Sequence, residues 1–217
     1  MPPAARRARE KAAAREKILA AARDLFVREG PDNVTMRRIA DAAEYTAPAL
    51  YVHFPDKDAL IEELCRGDFC LLRESFRVAE AIADPVERLL EIGRAYVRFA
   101  LEHPHHYRFM FMTPKPPPQE ATLAEVRDNP DLDGYAYMRE AVAECIRAGR
   151  FKPGYRDPER VAQICWASAH SLASLYIVHA NCPWIRWREP LETAYRLLDA
   201  VLDGMLAPEH ARPGVQS

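Results

Sequence analysis

The chain has no Cys-x-x-Cys pair. Its five cysteines, Cys65, Cys70, Cys145, Cys165 and Cys182, are scattered and odd in number, which argues against a disulfide framework or a zinc site and suits a reducing compartment. There is no alternating apolar–polar run and no hairpin signal, so no sheet is expected. A Gly-rich phosphate loop, a Ser-His-Asp order, a paired-carboxylate motif and a metal signature are all missing, so no enzyme chemistry, cofactor or metal is expected. Long hydrophobic runs are absent too. The most apolar stretch, Cys165 to Val178, is broken by Ser168, His170, Ser171 and Ser174 and is too short for a lipid-facing span. The opening MPPAARRAREKAAAREK lacks the apolar segment of a signal peptide. These absences describe a soluble, cytoplasmic protein with no membrane partner.

Nor is there an overall excess of positive charge: the formal net charge is -2. Its distribution is uneven, however. From Met1 to Arg23 seven basic residues (Arg6, Arg7, Arg9, Lys11, Arg15, Lys17 and Arg23) face only Glu10 and Glu16. Binding to phosphates depends on such local charge more than on the total.

What is present is helical periodicity along nearly the whole chain, so the fold class is all-α. A first helix is predicted from about Arg7 to Glu29, stopped by Gly30-Pro31. Two short helices follow, Thr35 to Ala42 and Thr46 to Val52. Asp56, Asp84 with Pro85 and Glu87, Asp157-Pro158 and Glu189-Pro190 mark later helix starts. Gly149 ends a helix from Tyr135 to Ala148. Four prolines between Thr113 and Gln119 restrict that segment to an extended connector or loop.

The two short helices meet the demands of a helix-turn-helix. Small Ala40 permits close approach, while Ile39, Ala43 and Leu50 pin the second helix, whose N-terminal residues would lie near base edges in the DNA major groove. Ile39-Ala40, then Leu50-Tyr51-Val52-His53-Phe54, Lys57 and Leu60 resemble the TetR family of bacterial transcriptional repressors. That similarity is strong from about Ala13 to Leu64; beyond it lies an all-helical layout with an HP..YR.MF element at His103 to Phe111. Two residues depart from the pattern. Glu44 stands at a turn position where the family usually has glycine, which carries a backbone cost if left-handed. Pro48 replaces a second glycine, in a first turn where a missing N–H is tolerated.

The resemblance implies an N-terminal three-helix helix-turn-helix DNA-binding domain (1–60), a larger helical effector-binding and dimerisation domain (61–206) and a flexible tail (207–217). Thr35, Thr46, Tyr51, His53 and Lys57 would then meet phosphates, with Arg37 or Arg38 reaching the same strand. Tyr45, Thr46, Ala47 and Pro48 would read bases. A homodimer on a palindromic operator follows, held by the last two long helices. A mostly apolar or aromatic effector would sit among Tyr96, Phe99, His103, Tyr107, Met110, Phe111, Trp166, His170 and Tyr176. The adjacent histidines His103, His105 and His106 point in different directions on a helix and do not suggest a metal site. An alternative reading is a helical DNA- or protein-binding adaptor without an effector.

Overall fold

Among the described residues, 3–117, 120–210 and 212, the computed structural model of the protein contains ten α-helices and no strand. After the long α1 (Pro3–Glu29), the helices begin where a side chain takes up the unpaired N–H groups of the first turn. The Thr35 hydroxyl oxygen accepts from Arg38 N–H at 3.2 Å ahead of α2 (Met36–Ala42). That of Thr46 accepts from Ala49 N–H at 3.3 Å ahead of α3 (Ala47–Tyr51). Asp56 accepts from Ala59 N–H at 2.7 Å at the start of α4 (Lys57–Ser75). Asp84 accepts from Val86 and Glu87 N–H at 2.9 and 3.1 Å before α5 (Pro85–Glu102).

A short α6 (Pro104–Tyr107) runs into a π-helical turn at Arg108–Met112, and α7 is Glu120–Val126. Next come α8 (Gly134–Arg147), α9 (Pro158–His179), capped by Asp157, and α10 (Pro190–Met205), capped by Glu189.

The chain forms two compact units. One joins the described residues up to Phe69 with residues 105–117; the other joins Cys70–Pro104 with those from Glu120 onward. Residues 61–69 and 105–117, which the sequence pattern assigned to the larger domain, thus cluster with the N-terminal unit. The reason is apolar burial: Ile61, Leu64 and Phe109 share a core with Ile18, Phe26, Ile39, Leu50 and Phe54. Phe26 and Phe109 stack at 6.0 Å. Each fully buried side chain of this kind contributes about 1.5–3 kcal/mol of transfer free energy.

In the second unit α5, α8, α9 and α10 pack on one another, burying Leu89, Ile92, Val97, Val142, Val161 and Leu202. By length and composition α9 would suffice to cross a membrane, yet it lies against three other helices. Toward its C-terminal end two apolar residues are open, Leu175 48% and Val178 52% exposed. A loose tail was expected from residue 207, but Ala207 donates to the Arg150 carbonyl at 2.9 Å. Arg212 pairs with Asp203 at 2.7 Å and Asp199 at 3.1 Å. The rest of that expected tail, and Pro118 and Gln119 of the proline segment, lie outside the described residues.

Candidate functional site

The N-terminal unit brings α2 and α3 together through a tight turn. Tyr45 N–H bonds the Ala40 carbonyl at 2.8 Å and Glu44 N–H that of Asp41 at 3.1 Å, the paired closure of a Schellman motif. The motif needs a left-handed residue, and here it is Glu44, with φ 60°. The backbone cost anticipated from the missing glycine is therefore real. Lys17 donates to the Glu44 carboxylate, and that hydrogen bond holds the carboxyl below its ordinary range.

Thr35 and Thr46 each use an oxygen lone pair for the helix cap, which leaves the hydroxyl hydrogen to donate outward. Both are exposed, as are Arg37, Arg38, Pro48 and Tyr51, the last 52% accessible. Arg38 donates to Glu29 at 2.8 Å. Pro48 sits in the first turn of α3, where no helical N–H is lost. Tyr45 and Ala47 are half-buried against the unit's core, and Lys17 lies 5.8 Å from the Tyr45 ring centre.

Two sequence-assigned phosphate ligands have other engagements. The Lys57 ammonium donates to the Pro31 carbonyl at 2.7 Å and the Val34 carbonyl at 3.3 Å, so it clamps the turn between α1 and α2. His53 turns Nδ1 inward, where it has no hydrogen-bond partner among the described residues. Burial, with Arg15 and Lys11 nearby, lowers its pKa and keeps the ring neutral.

Sequence reasoning missed Arg15, which secures the far end of α3. Its guanidinium donates to the His53 carbonyl at 2.8 Å, pairs with Glu63 at 3.1 Å and lies 4.4 Å from the Phe54 ring centre. It also missed buried Asp68, which accepts from Arg23 at 2.6 Å and lies 2.9 Å from His106 Nδ1. The charge pattern of α1 hinted at Arg15, and nothing in the sequence singled out Asp68 on α4.

The residues expected to line an effector site divide between the units. Tyr107, Met110 and Phe111 belong to the N-terminal unit, with Tyr107 and Phe111 rings 5.0 Å apart. In the larger unit Tyr96, Trp166 and His170 converge. Trp166 Nε1–H donates to Tyr96 Oη at 3.2 Å, and Tyr96 Oη lies 3.0 Å from His170 Nδ1. In the neutral imidazole, which of Tyr96 Oη and His170 Nδ1 donates depends on which ring nitrogen carries the hydrogen. Burial lowers the His170 pKa, in keeping with that neutral state.

Tyr135, not anticipated from the sequence, stands edge-on to Trp166 at 5.9 Å. Its hydroxyl donates to Glu159 at 2.5 Å, and burial together with this bond pushes its pKa up to about 12. Phe99 and His103 lie 5.2 Å apart, and Tyr176 packs on Trp187 at 4.7 Å. A separate cleft of about 490 Å³ in the same unit is lined by Arg73, Glu74, Arg77 and Asp131 among others; it contains none of these aromatics and its charge does not suit an apolar molecule. Among the described residues no cluster of three or more His, Cys, Asp or Glu has metal-binding geometry.

A capped helix pair on an α1 brace, in a chain that also carries a larger helical unit, is the layout of a helix-turn-helix regulator. The profile described as "Bacterial regulatory proteins, tetR family" matches residues 18–64, and that described as "Tetracyclin repressor-like, C-terminal domain" matches residues 89–201. The chain belongs to the TetR family. It is 35% identical over 92 residues to the HTH-type transcriptional repressor KstR2 of Mycobacterium tuberculosis, a match covering 42% of this chain and 46% of that one. The match thus spans about half the length of the curated relative. A solved structure of a protein of unknown function from Rhodococcus sp. RHA1 aligns with TM-score 0.68 and 25% identity, covering 89% of this chain and 96% of that one. The structure of the ketosteroid transcriptional regulator KstR2 of Mycobacterium tuberculosis aligns with TM-score 0.60 at 24% identity, covering 89% and 95%. The curated relatives are transcriptional repressors rather than enzymes.

Proposed function

We propose that this chain is a cytoplasmic, homodimeric transcriptional repressor. It binds a palindromic operator through α2 and α3 and is released by a small, largely apolar or aromatic effector. The observation that carries the reading is the exposed, doubly capped α2–α3 pair. Its Thr35 and Thr46 hydroxyls, Arg37 and Tyr51 lie at the surface, which supports backbone and base contacts in a major groove.

Dimerisation is supported by the uncovered apolar residues of α9, Leu175 and Val178, and by Trp184 beyond it, 82% exposed. Apolar area of this kind marks an interface. The effector is assigned to the Tyr96–Trp166–His170 cluster, where an indole face and a polar relay can hold a flat molecule. A ketosteroid regulator among the relatives supports beginning the effector screen with flat apolar ring compounds.

The test is selection of binding sequences from a random duplex pool at near-physiological salt, followed by effector screening on the selected duplex. A palindromic consensus is expected, and Trp166→Ala is expected to weaken effector-driven release while leaving operator affinity intact. Recovery of no consensus would remove the operator from the reading. Release unchanged by Trp166→Ala would remove the assigned effector cluster.

A further inference from the structure

The last carbonyls of a helix lack partners within it, and the π-helical turn Arg108–Met112 finds them in two side chains from just beyond its own end. The Thr113 hydroxyl donates to the Arg108 carbonyl at 3.0 Å. The Lys115 ammonium donates to the carbonyls of Phe109 at 2.7 Å, Met110 at 2.8 Å and Thr113 at 3.4 Å, so all three of its hydrogens are directed at main chain. It also lies 5.1 Å from the Phe109 ring centre. Pro114 and Pro116 flank Lys115 and restrict the backbone that carries it. The residue is half-buried, and burial lowers its pKa, with Cys65 and Asp68 of α4 opposing the shift.

What this ammonium holds is a register. A π turn bonds one residue further along than an α turn, so collapse to α-helix would put the side chains of the turn out of phase with the core by up to about 100°, one residue step. In the observed register Phe109 is fully buried and stacks on Phe26 of α1 at 6.0 Å. It completes the core that α1, α2 and α3 share through Ile18, Ile39 and Leu50.

We infer that Lys115 is a positioning residue for DNA binding. By ending the π turn it keeps Phe109 in the core that braces α2 and α3, and it does so without meeting DNA itself. The inference rests on the reading of α2–α3 as a DNA-binding pair. The effect passes through α1: its Phe26 packs on Phe109, and its Ile18 shares the core with Ile39 and Leu50.

The test compares the full chain with Lys115→Met and Lys115→Arg, at a temperature where circular dichroism shows each one fully folded. Lys115→Met should bind the selected operator roughly tenfold more weakly, a loss equivalent to one charge-assisted hydrogen bond. The slope of log affinity against log salt should stay at the wild-type value. Nuclear Overhauser contacts between the rings of Phe26 and Phe109 should be lost in the same variant. Lys115→Arg keeps the charge and several donors, and should recover both the affinity and the ring contacts.

A purely structural role would lower the unfolding midpoint and leave the affinity of the folded Lys115→Met chain untouched, and that result would overturn the inference. So would a slope reduced by about 0.9, the mark of a lost phosphate contact, or an equal loss in Lys115→Arg. If Lys115→Met does not fold, Lys115→Gln, neutral and polar, is read in the same way. Failure of the wild-type chain to select any duplex would sink the DNA-binding reading instead; ring contacts that persist in Lys115→Met would show separately that Lys115 holds no register.

Discussion

Arg15 donates from Nη1 to the main-chain carbonyl of His53 at 2.8 Å, across 38 positions of sequence. This bond fixes the end of α3 against α1, and with it the orientation of the helix that carries Ala47 and Pro48. Because the guanidinium also pairs with Glu63 and covers Phe54, its removal leaves a carbonyl and a ring uncovered together.

Arg15→Ala is expected to destabilise the N-terminal unit by about 1–2 kcal/mol, the size of a charge-assisted hydrogen bond to a half-exposed group. The urea midpoint of the unit measures this. Operator affinity should fall with it, because α3 loses its support while its own contacting side chains are untouched. Unchanged stability with lost binding would instead make Arg15 a direct DNA ligand.

Glu44 and Gly149 occupy equivalent places in two helix-ending turns. Gly149 has φ 69° and donates to Ile146 at 3.0 Å, while Arg150 bonds Cys145 at 3.0 Å, the same closure seen at Asp41 and Ala40. Substitutions at the two sites should act in opposite directions. Glu44→Gly relieves left-handed strain and should raise the melting temperature by roughly 2–4 °C. Gly149→Ala introduces that strain where an added Cβ meets no atom within 4 Å, and should lower it by a similar amount. Calorimetry checks both; equal signs would refute the shared geometry.

Lys57 separates a clamp from a contact. Its ammonium holds the carbonyls of Pro31 and Val34, so Lys57→Met should lower stability by about 1–2 kcal/mol. The salt slope for DNA should fall by less than the 0.9 of one phosphate contact. A full loss of slope without any loss of stability would return Lys57 to the phosphate-binding role suggested by its motif.

The parts of the fold visible in the sequence are those set by near neighbours. Thr35, Thr46, Asp84 and Asp157 cap helices within three residues of themselves, and Gly149 stops one, so local chemistry suffices to find them. The roles of Arg15, Lys57 and Asp68 were hidden because their partners lie 23 to 48 residues away and meet only when helices pack. The effector set shows the same limit. Tyr107 and Phe111 are aromatic and Met110 is apolar, like the Tyr96 and Trp166 set, but composition cannot tell that Phe109 anchors their segment in the core around Phe26.

The Trp166–Tyr96–His170 relay makes the larger unit sensitive to acid. Burial lowers the His170 pKa, whereas in an unfolded chain the imidazole titrates near 6.5. Between those two values the unfolded state holds a proton that the folded state does not, so folding stability is full above about pH 6.5 and declines as pH falls toward the folded pKa. A protonated Nδ1 also cannot accept from Tyr96. His170→Asn keeps an acceptor oxygen near the Nδ1 position and does not titrate, so it should flatten this part of the pH profile. His53 has a lowered pKa as well and contributes with the same sign, which makes the wild-type profile alone insufficient. The difference between wild-type and His170→Asn unfolding midpoints isolates the relay. It should be constant above pH 6.5 and should shift toward the variant below it. A difference that does not change with pH would mean that His170 is not the group being protonated.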